Sequence, residues 1–242
     1  MGLEITLTVI TLGSFVASFV NAAFATGGIY ILIAASTLVF PLTTAVPLLS
    51  TFAFSSLLAR ILYFREHIQW HIVGGFAVGA LVGVFFGARV FVSLNESTIA
   101  TLLGCLLLVL IWLPTPEWKI PFKHPFVIVG ALHSFLGTLF GVGAVLQPVI
   151  FKTRLLKLQI TSTLAGCMIT MDILKMIGYV SYGFDYMQYV PHILLATLAG
   201  FIGTWAGKKV THLISEKTFR LVFKWLITLV ALRLLYRGWT LG

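Results

Sequence analysis

Apolar runs of membrane-spanning length follow one another through almost the whole chain, and they constrain the fold more than any other feature. Of the 242 residues, 59% are hydrophobic and 10% are charged, whereas about a quarter of the residues in a soluble domain carry charge. The runs are continuously apolar, unlike the alternating strands of an outer-membrane barrel. The sequence therefore predicts an all-α, multi-pass integral membrane protein with about eight helical segments.

Two glycine-rich breaks interrupt these runs in corresponding places. The apolar stretch after each break, at 28–40 and 143–151, is too short for a full span, so we predict a re-entrant or broken helical hairpin at each one. Backbone N–H groups freed at membrane depth can bind an anion, although close helix packing also explains such glycines. The predicted substrate-binding residues at the breaks are Asn21, Thr26, Gly27, Gly28, Gly141, Val142, Gly143 and Gln147.

The chain reads as an internal duplication. Gly83, Gly87 and Arg89 recur at a constant offset as Gly203, Gly207 and Lys209, and an ancestral repeat explains this pattern better than chance. We predict two inverted repeats in one membrane domain, each with one hairpin and three full spans. They are residues 1–113 and 126–242, joined by a proline-bearing linker at 114–125. A plain eight-span bundle, in which the first and fifth runs each cross once, is the alternative.

Basic residues fall on alternate connections, as an inverted pair of repeats requires. The connections at 41–44 and 182–186 carry no Lys or Arg. By the positive-inside rule, the basic side is predicted to be cytoplasmic. Arg233 and Arg237 do not fit, because they fall on the other side. The residues on the basic side are Arg65, Lys119, Lys123, Lys152, Arg154, Lys157, Lys208, Lys209 and Lys217.

Paired hydroxyl residues occur in the span that follows each hairpin. They are Ser50 and Thr51 in the first half, and Ser162 and Thr163 in the second. Each hydroxyl could bond the carbonyl one turn earlier in its own helix. As a repeated pair beside a repeated break, all four are predicted oxyanion ligands.

Ionisable side chains inside apolar runs are costly and therefore suggest function. Asp172 and Lys175 lie three apart on one helix face, where they could form a neutral pair or a coupling site. His133 could carry a proton or line a cavity as a satisfied polar group. Arg60 lies one turn from the end of its span, and we expect it to extend its guanidinium to the interface.

The sequence predicts no enzyme, cofactor or metal centre. No phosphate-binding glycine motif with its lysine is present, and no acidic residue adjoins either glycine pair. Cys105 and Cys167 lie in apolar runs and are interpreted as packing residues. The expected partners are a small anion and the bilayer, with no nucleic acid, and a homodimer is plausible.

At the two breaks the chain resembles the sulfite exporter TauE/SafE family of permeases, also called the TSUP family. Gly141, Gly143 and Pro148 fit its pattern Gly-x-Gly-Gly-Gly-x-x-x-x-Pro, and the first break fits it without the proline. The glycine-rich spans ending at 89 and 209 also look like the family. The resemblance implies transport of small sulfur-containing anions, such as sulfite, organosulfonates, sulfoacetate or thiosulfate, in bacterial inner membranes.

Taken together, these observations predict a secondary transporter that exports such an anion by alternating access around the two breaks. An anion channel is one alternative, because a pore and a carrier can share ligands. An intramembrane lipid-phosphate enzyme is another, although its chemistry would require a carboxylate cluster or a Ser/His pair with an arginine anchor at a break.

Overall fold

The computed structural model describes residues 2–24, 27–113, 125–210 and 216–241, and all of its regular secondary structure in these ranges is helical. Five helices in these ranges are long and apolar enough to cross a bilayer, so the all-α membrane fold is confirmed. Short 3-10 turns lie at Arg65–His67 and Tyr186–Tyr189. The ten α-helices of the described ranges are α1 Leu3–Phe24, α2 Gly28–Val39, α3 Leu42–Phe64, α4 Trp70–Ser93, α5 Glu96–Trp112, α6 Pro125–Phe140, α7 Leu146–Ile150, α8 Lys157–Ser181, α9 Val190–Val210 and α10 Glu216–Leu241.

Helices α1 and α2 form the first predicted hairpin. Gly28 lies against Ala17, and Ala35 lies against Gly13, so the two helices run antiparallel. At about 1.5 Å per residue, the 12 residues of α2 extend about 18 Å, well short of the roughly 30 Å of a hydrocarbon core. Helix α1 has 22 residues and is itself long enough to cross a bilayer, and α2 folds back along it toward the end of the bundle where α1 begins.

Helices α6 and α7 form the second hairpin, which opens at the other end of the bundle. The five-residue helix α7 folds back so that the N–H of Leu146 reaches the ring of His133 on α6. Helix α6 runs parallel to α4, with Val127 beside Gly79 and Thr138 beside Gly87. Because α4 runs opposite to α3, this parallel packing reverses the second hairpin relative to the first.

Glycine ridges bring two pairs of helices into backbone contact. A Cβ atom on Gly79 or Gly83 of α4 would overlap a carbonyl oxygen of α6, and one on Gly203 or Gly207 of α9 would overlap a carbonyl oxygen of α1. Small residues permit this close approach in a membrane protein, where packing rather than water drives helix association. The two pairings are equivalent. In each, the first helix of one predicted half packs on the fourth helix of the other half: α1 packs on α9, and α6 packs on α4.

The remaining helices complete the bundle around a central pair. Helices α3 and α8 pack on each other, and each also contacts one of the glycine-ridge helices, α9 and α4 respectively. Helices α5 and α10 run antiparallel, with Gly104 against Leu235 and Gly238 against Thr101. The centre of the molecule therefore lies between α3, α8 and the two hairpins.

The connections of the described segments that carry Arg65, Lys152, Arg154, Lys208 and Lys209 lie at one end of the bundle, called here the basic end, whereas Arg89 lies toward the other end. The N–H of Gln69, between α3 and α4, donates to Thr163 Oγ1 near the start of α8 at 3.0 Å, so both connections lie at this end. Lys119 and Lys123 fall outside the described residues. The connections at 40–41, 94–95 and 182–185 lie at the other end, called here the opposite end.

Arg233 and Arg237 lie at the opposite end, where local pairing accounts for them. Arg237 Nη2 lies 2.6 Å from Glu96 Oε1, and both arginines donate to the carbonyl of Thr37, at 3.4 and 3.1 Å. That carbonyl belongs to the last turn of α2, where cations are favourable. Glu96 Oε1 also accepts the N–H of Leu42, the first residue of α3, at 3.1 Å.

Candidate functional site

A cavity of about 270 Å³ lies between the two hairpins, α3 and α8. Residues of both glycine breaks line it, so the fold brings together two segments more than a hundred positions apart in sequence. Its size suits a small ligand, since pockets for drug-sized molecules usually start at about 300 Å³. The polar side chains on its wall are Asn21, Tyr30, Ser50, Arg60, His133, Gln147, Asp172 and Lys175.

The first break is held by Asn21. Gly27 has φ +101°, in the left-handed region that favours glycine, and it turns the chain from α1 into α2. The Asn21 side chain accepts the N–H of Gly28 at 2.9 Å through Oδ1. A Cβ atom on Gly28 would overlap the carbonyl of Ala17 and the Asn21 amide. Asn21 therefore binds the first N–H of α2, which we expected to be free for an anion.

The second break is held by His133. Its Nδ1 accepts the N–H groups of Val145 and Leu146, at 3.2 and 3.0 Å. In a neutral ring the hydrogen then lies on Nε2. Gly143 packs against the face of this imidazole and leaves no room for a Cβ atom. His133 thus satisfies the start of α7 and keeps the break in place.

Three consecutive backbone N–H groups at the second break are open. Those of Val142, Gly143 and Ala144 have no hydrogen-bond partner among the residues that the structure describes, and all three residues line the cavity. Gly141 has φ +77° and Ala144 has φ +60°, so the chain turns sharply at both ends of this stretch. Successive N–H groups in such turns form concavities that bind anions.

Two cationic side chains and one anionic side chain line the cavity in the described part of the chain. Lys175 Nζ lies 3.7 Å from Asp172 Oδ1, and both side chains are buried. Ser50 Oγ lies beside the Asp172 carboxyl group, without a hydrogen bond of ordinary geometry. Arg60 Nη2 donates to the carbonyl of Asn21 at 3.3 Å. Because the negative charge of Asp172 offsets the positive charge of Lys175, the charge of Arg60 gives the cavity wall a net positive charge.

The structure brings most of the predicted site residues together at this cavity. Gly28 lies behind Asn21 and does not line the cavity. Thr26 lies outside the described residues. The predicted residues that line the cavity are Asn21, Gly27, Ser50, His133, Gly141, Val142, Gly143, Gln147, Asp172 and Lys175.

Three of the four predicted hydroxyl ligands lie elsewhere. Thr51 Oγ1 donates to the carbonyl of Leu48 at 2.8 Å, and Ser162 Oγ donates to the carbonyl of Leu158 at 2.8 Å, as hydroxyls within helices commonly do. Thr163 Oγ1 accepts the N–H of Gln69, the residue directly before α4, and so joins α8 to the start of α4. Of the four, Ser50 alone lines the cavity.

Arg60 corrects an expectation from the sequence. We expected it to extend to the interface, yet its guanidinium lines the cavity and contacts the first break. The helical spacing contained the signal, because Ser50, Ala53, Leu57 and Arg60 recur on one face of α3 and all line the cavity. Tyr30, Met168 and Met171 are further lining residues that the sequence reasoning missed.

No group of three or more His, Cys, Asp or Glu side chains that could hold a metal ion occurs within the described residues. A protein-family model with the description "Sulfite exporter TauE/SafE" matches residues 10–234, nearly the whole chain. Neither the curated proteins nor the solved structures contain a match to the chain.

Proposed function

The chain belongs to the sulfite exporter TauE/SafE family of membrane transporters, and on that premise we propose that it exports a small sulfur-containing anion as a secondary transporter. Sulfite, an organosulfonate and thiosulfate are the candidate substrates. The observation that carries the proposal is that one cavity contains both glycine breaks and the side chains of Arg60 and Lys175.

The groups on the cavity wall suit an oxyanion. A guanidinium binds planar pairs of oxygen atoms with two parallel hydrogen bonds, and the open N–H groups at 142–144 can bind a further oxygen. In a site shielded from water these interactions are stronger than at a surface. Met168 and Met171 supply a polarisable apolar wall, which suits a sulfur atom or a short organic group.

We propose that residues 1–113 and 126–242 are inverted repeats and that access alternates around the two breaks. The close contacts of α1 with α9 and of α4 with α6 each join the two repeats. Repeats that moved as separate rigid bodies would have to break both contacts. In our proposal the short arms α2 and α7 therefore move against α3 and α8, while the glycine-ridge pairs stay intact.

Asp172 is the proposed coupling group. It is the acidic side chain on the described wall of the cavity, and a neutral Asp172 would leave Lys175 unpaired and able to bind the anion. Protonation of His133 at Nδ1 would break two hydrogen bonds at the second break, which disfavours it as a carrier. The proposed location is the inner membrane with the basic end in the cytoplasm, and a homodimer stays a prediction.

The test is anion flux in proteoliposomes, with the native protein compared with Arg60→Gln. Loss of a hydrogen bond to a charged group costs about 1.5–3 kcal/mol, so we expect about a tenfold to hundredfold rise in the half-saturating concentration of sulfite, thiosulfate or a small sulfonate. The matched control is Arg65→Gln, because Arg65 is exposed at the basic end and does not line the cavity.

Each other outcome has a distinct meaning. Equal flux in the Arg60→Gln variant and the native protein would show that this cavity is not the anion-binding site. Flux that does not saturate, with currents far above carrier turnover, would favour an anion channel. If none of the three anions moves while the protein is folded, the substrate class is wrong.

A further inference from the structure

A second cavity of about 280 Å³ lies toward the opposite end of the bundle, and the proposed binding site leaves it without a role. It is called here the outer cavity, and the one described above the central cavity. Its wall includes Thr43, Pro47, Phe91, Leu94, Tyr179 and Phe184. The helices α3 and α8 contribute to the walls of both cavities.

The two cavities follow one another along the same helix faces. On α3, Pro47 lines the outer cavity and Ser50 lines the central one; on α8, Tyr179 lines the outer cavity and Lys175 the central one. Residues three or four apart lie above one another on one helix face, about one turn or 5 Å apart. A layer about one helical turn thick therefore separates the two cavities.

Tyr179 lies in this layer, on the wall of the outer cavity. It is 1% exposed, its ring lies edge-on to Phe91 with centroids 5.4 Å apart, and it also contacts Phe184 at 6.5 Å. Its hydroxyl lies within electrostatic range of Asp172 in the central cavity. Beside it, the Tyr186 hydroxyl donates to the carbonyl of Pro47 at 3.3 Å.

The Tyr179 hydroxyl also ties this layer to the second hairpin. It donates to the carbonyl oxygen of Thr138, which belongs to the last turn of α6, where carbonyls have no partner in their own helix. Because α6 stays packed on α4, the acceptor stays in place, and opening requires that this hydrogen bond break. The tyrosine ring could then rotate about its side-chain bonds and connect the two cavities.

We propose that the outer cavity is the outer chamber of the anion path, and that Tyr179 is the residue that closes this path. The proposal rests on the transport function proposed above and extends it to a second site for the same anion. Thr43 and Tyr182 supply hydroxyl groups on the wall of this chamber, so an anion released past Tyr179 meets neutral hydrogen-bond donors. Neutral donors hold an anion less firmly than Lys175 and Arg60, which favours its departure.

Cysteine accessibility tests the proposal without any substrate. In a protein with Cys105→Ala and Cys167→Ala, Ser50→Cys reports on the central cavity and Thr43→Cys reports on the outer one. A negatively charged, membrane-impermeant methanethiosulfonate is added to sided vesicles from the opposite end. We expect rapid labelling at Thr43→Cys and slow labelling at Ser50→Cys while Tyr179 is present.

Two replacements of Tyr179 separate the hydrogen bond from the ring. Tyr179→Phe removes only the hydroxyl, and we expect Ser50→Cys to react about fivefold faster, the factor that one net hydrogen bond is worth. Tyr179→Ala opens the layer, so we expect a larger increase. The matched control is Tyr182→Ala, which removes an exposed aromatic residue from the same cavity and should leave labelling at Ser50→Cys unchanged.

Unchanged labelling at Ser50→Cys in the Tyr179→Phe and Tyr179→Ala proteins, with normal labelling at Thr43→Cys, would overturn the proposal. An equal increase in Tyr182→Ala would also overturn it, because the effect would then reflect general loosening. If Tyr179→Ala does not fold, Tyr179→Phe decides the result, since it keeps the packed ring. If no sulfur-containing anion is transported but the labelling follows the expected pattern, the proposed substrate class is wrong and the role of Tyr179 in closing the path is supported.

Discussion

The contact between Gly143 and His133 yields the sharpest prediction from the structure. In Gly143→Ala, the new methyl group would overlap three atoms of the imidazole ring. The ring is buried and cannot stay in place, so Nδ1 would lose the N–H groups of Val145 and Leu146. The N–H of Leu146 at the start of α7 would then be unsatisfied, whereas the N–H of Val145 keeps its bond to the carbonyl of residue 143 at 2.8 Å.

The size of the effect follows from those two bonds. Hydrogen bonds in membrane proteins contribute about 0.6 kcal/mol on average and up to about 1.7 kcal/mol, and overpacking adds about 1–3 kcal/mol. We therefore expect Gly143→Ala to lower the free energy of unfolding by about 2–4 kcal/mol. For a chain of this length the Tm in detergent should fall by about 4–16 °C, with loss of anion flux.

A double-mutant cycle tests the cause. If the methyl group acts through the ring, His133→Ala should cost little more when Gly143→Ala is already present, because the same bonds are lost in both. The control is Gly75→Ala, where the nearest atom would lie 3.6 Å away on Phe126, an ordinary contact. A Tm for Gly143→Ala within 1 °C of the native value, or fully additive effects with His133→Ala, would refute the reasoning.

Three further substitutions test the packing and capping contacts. Gly83→Ala should lower the yield of folded protein and lower the free energy of unfolding by about 1–3 kcal/mol, because the methyl group would overlap the backbone of α6. Its control is Gly74→Ala, which has open space around it and should change neither quantity. Asn21→Ala removes the acceptor for the first N–H of α2, so we expect a loss of about 1–3 kcal/mol by thermal melting and weaker anion binding. Glu96→Gln breaks a partly exposed ion pair at 2.6 Å and should lower stability by about 0.5–1 kcal/mol without changing the half-saturating anion concentration. Exposed Glu66→Gln is its control, and equal melting of the two variants would contradict the role of the pair.

The sequence alone determined the membrane fold and the positions of its breaks. Every backbone polar group in a bilayer must be hydrogen-bonded within the protein, which helices and closed barrels achieve, and continuously apolar runs lack the alternation that a barrel needs. Glycines at 27–28 and 141–143 marked both breaks, since left-handed backbone at Gly27 and Gly141 favours that residue. The family resemblance was also visible in the sequence and is confirmed by the match over residues 10–234.

The tertiary structure decided which polar groups remain for a ligand. Hydrogen bonds that form where a chain folds back on itself cannot be derived from the sequence alone. The sequence therefore did not reveal that Asn21 and His133 bind the helix starts at the breaks. For Thr51 and Ser162 the sequence left the bond within their own helix as an alternative, and the structure shows that bond. Arg60 illustrates the same limit: its position near a helix end favoured the interface, and the packing of α3 against the first hairpin placed its guanidinium in the cavity. Local patterns thus specified the helices and their breaks, whereas the groups left free for an anion depend on how the helices pack on one another.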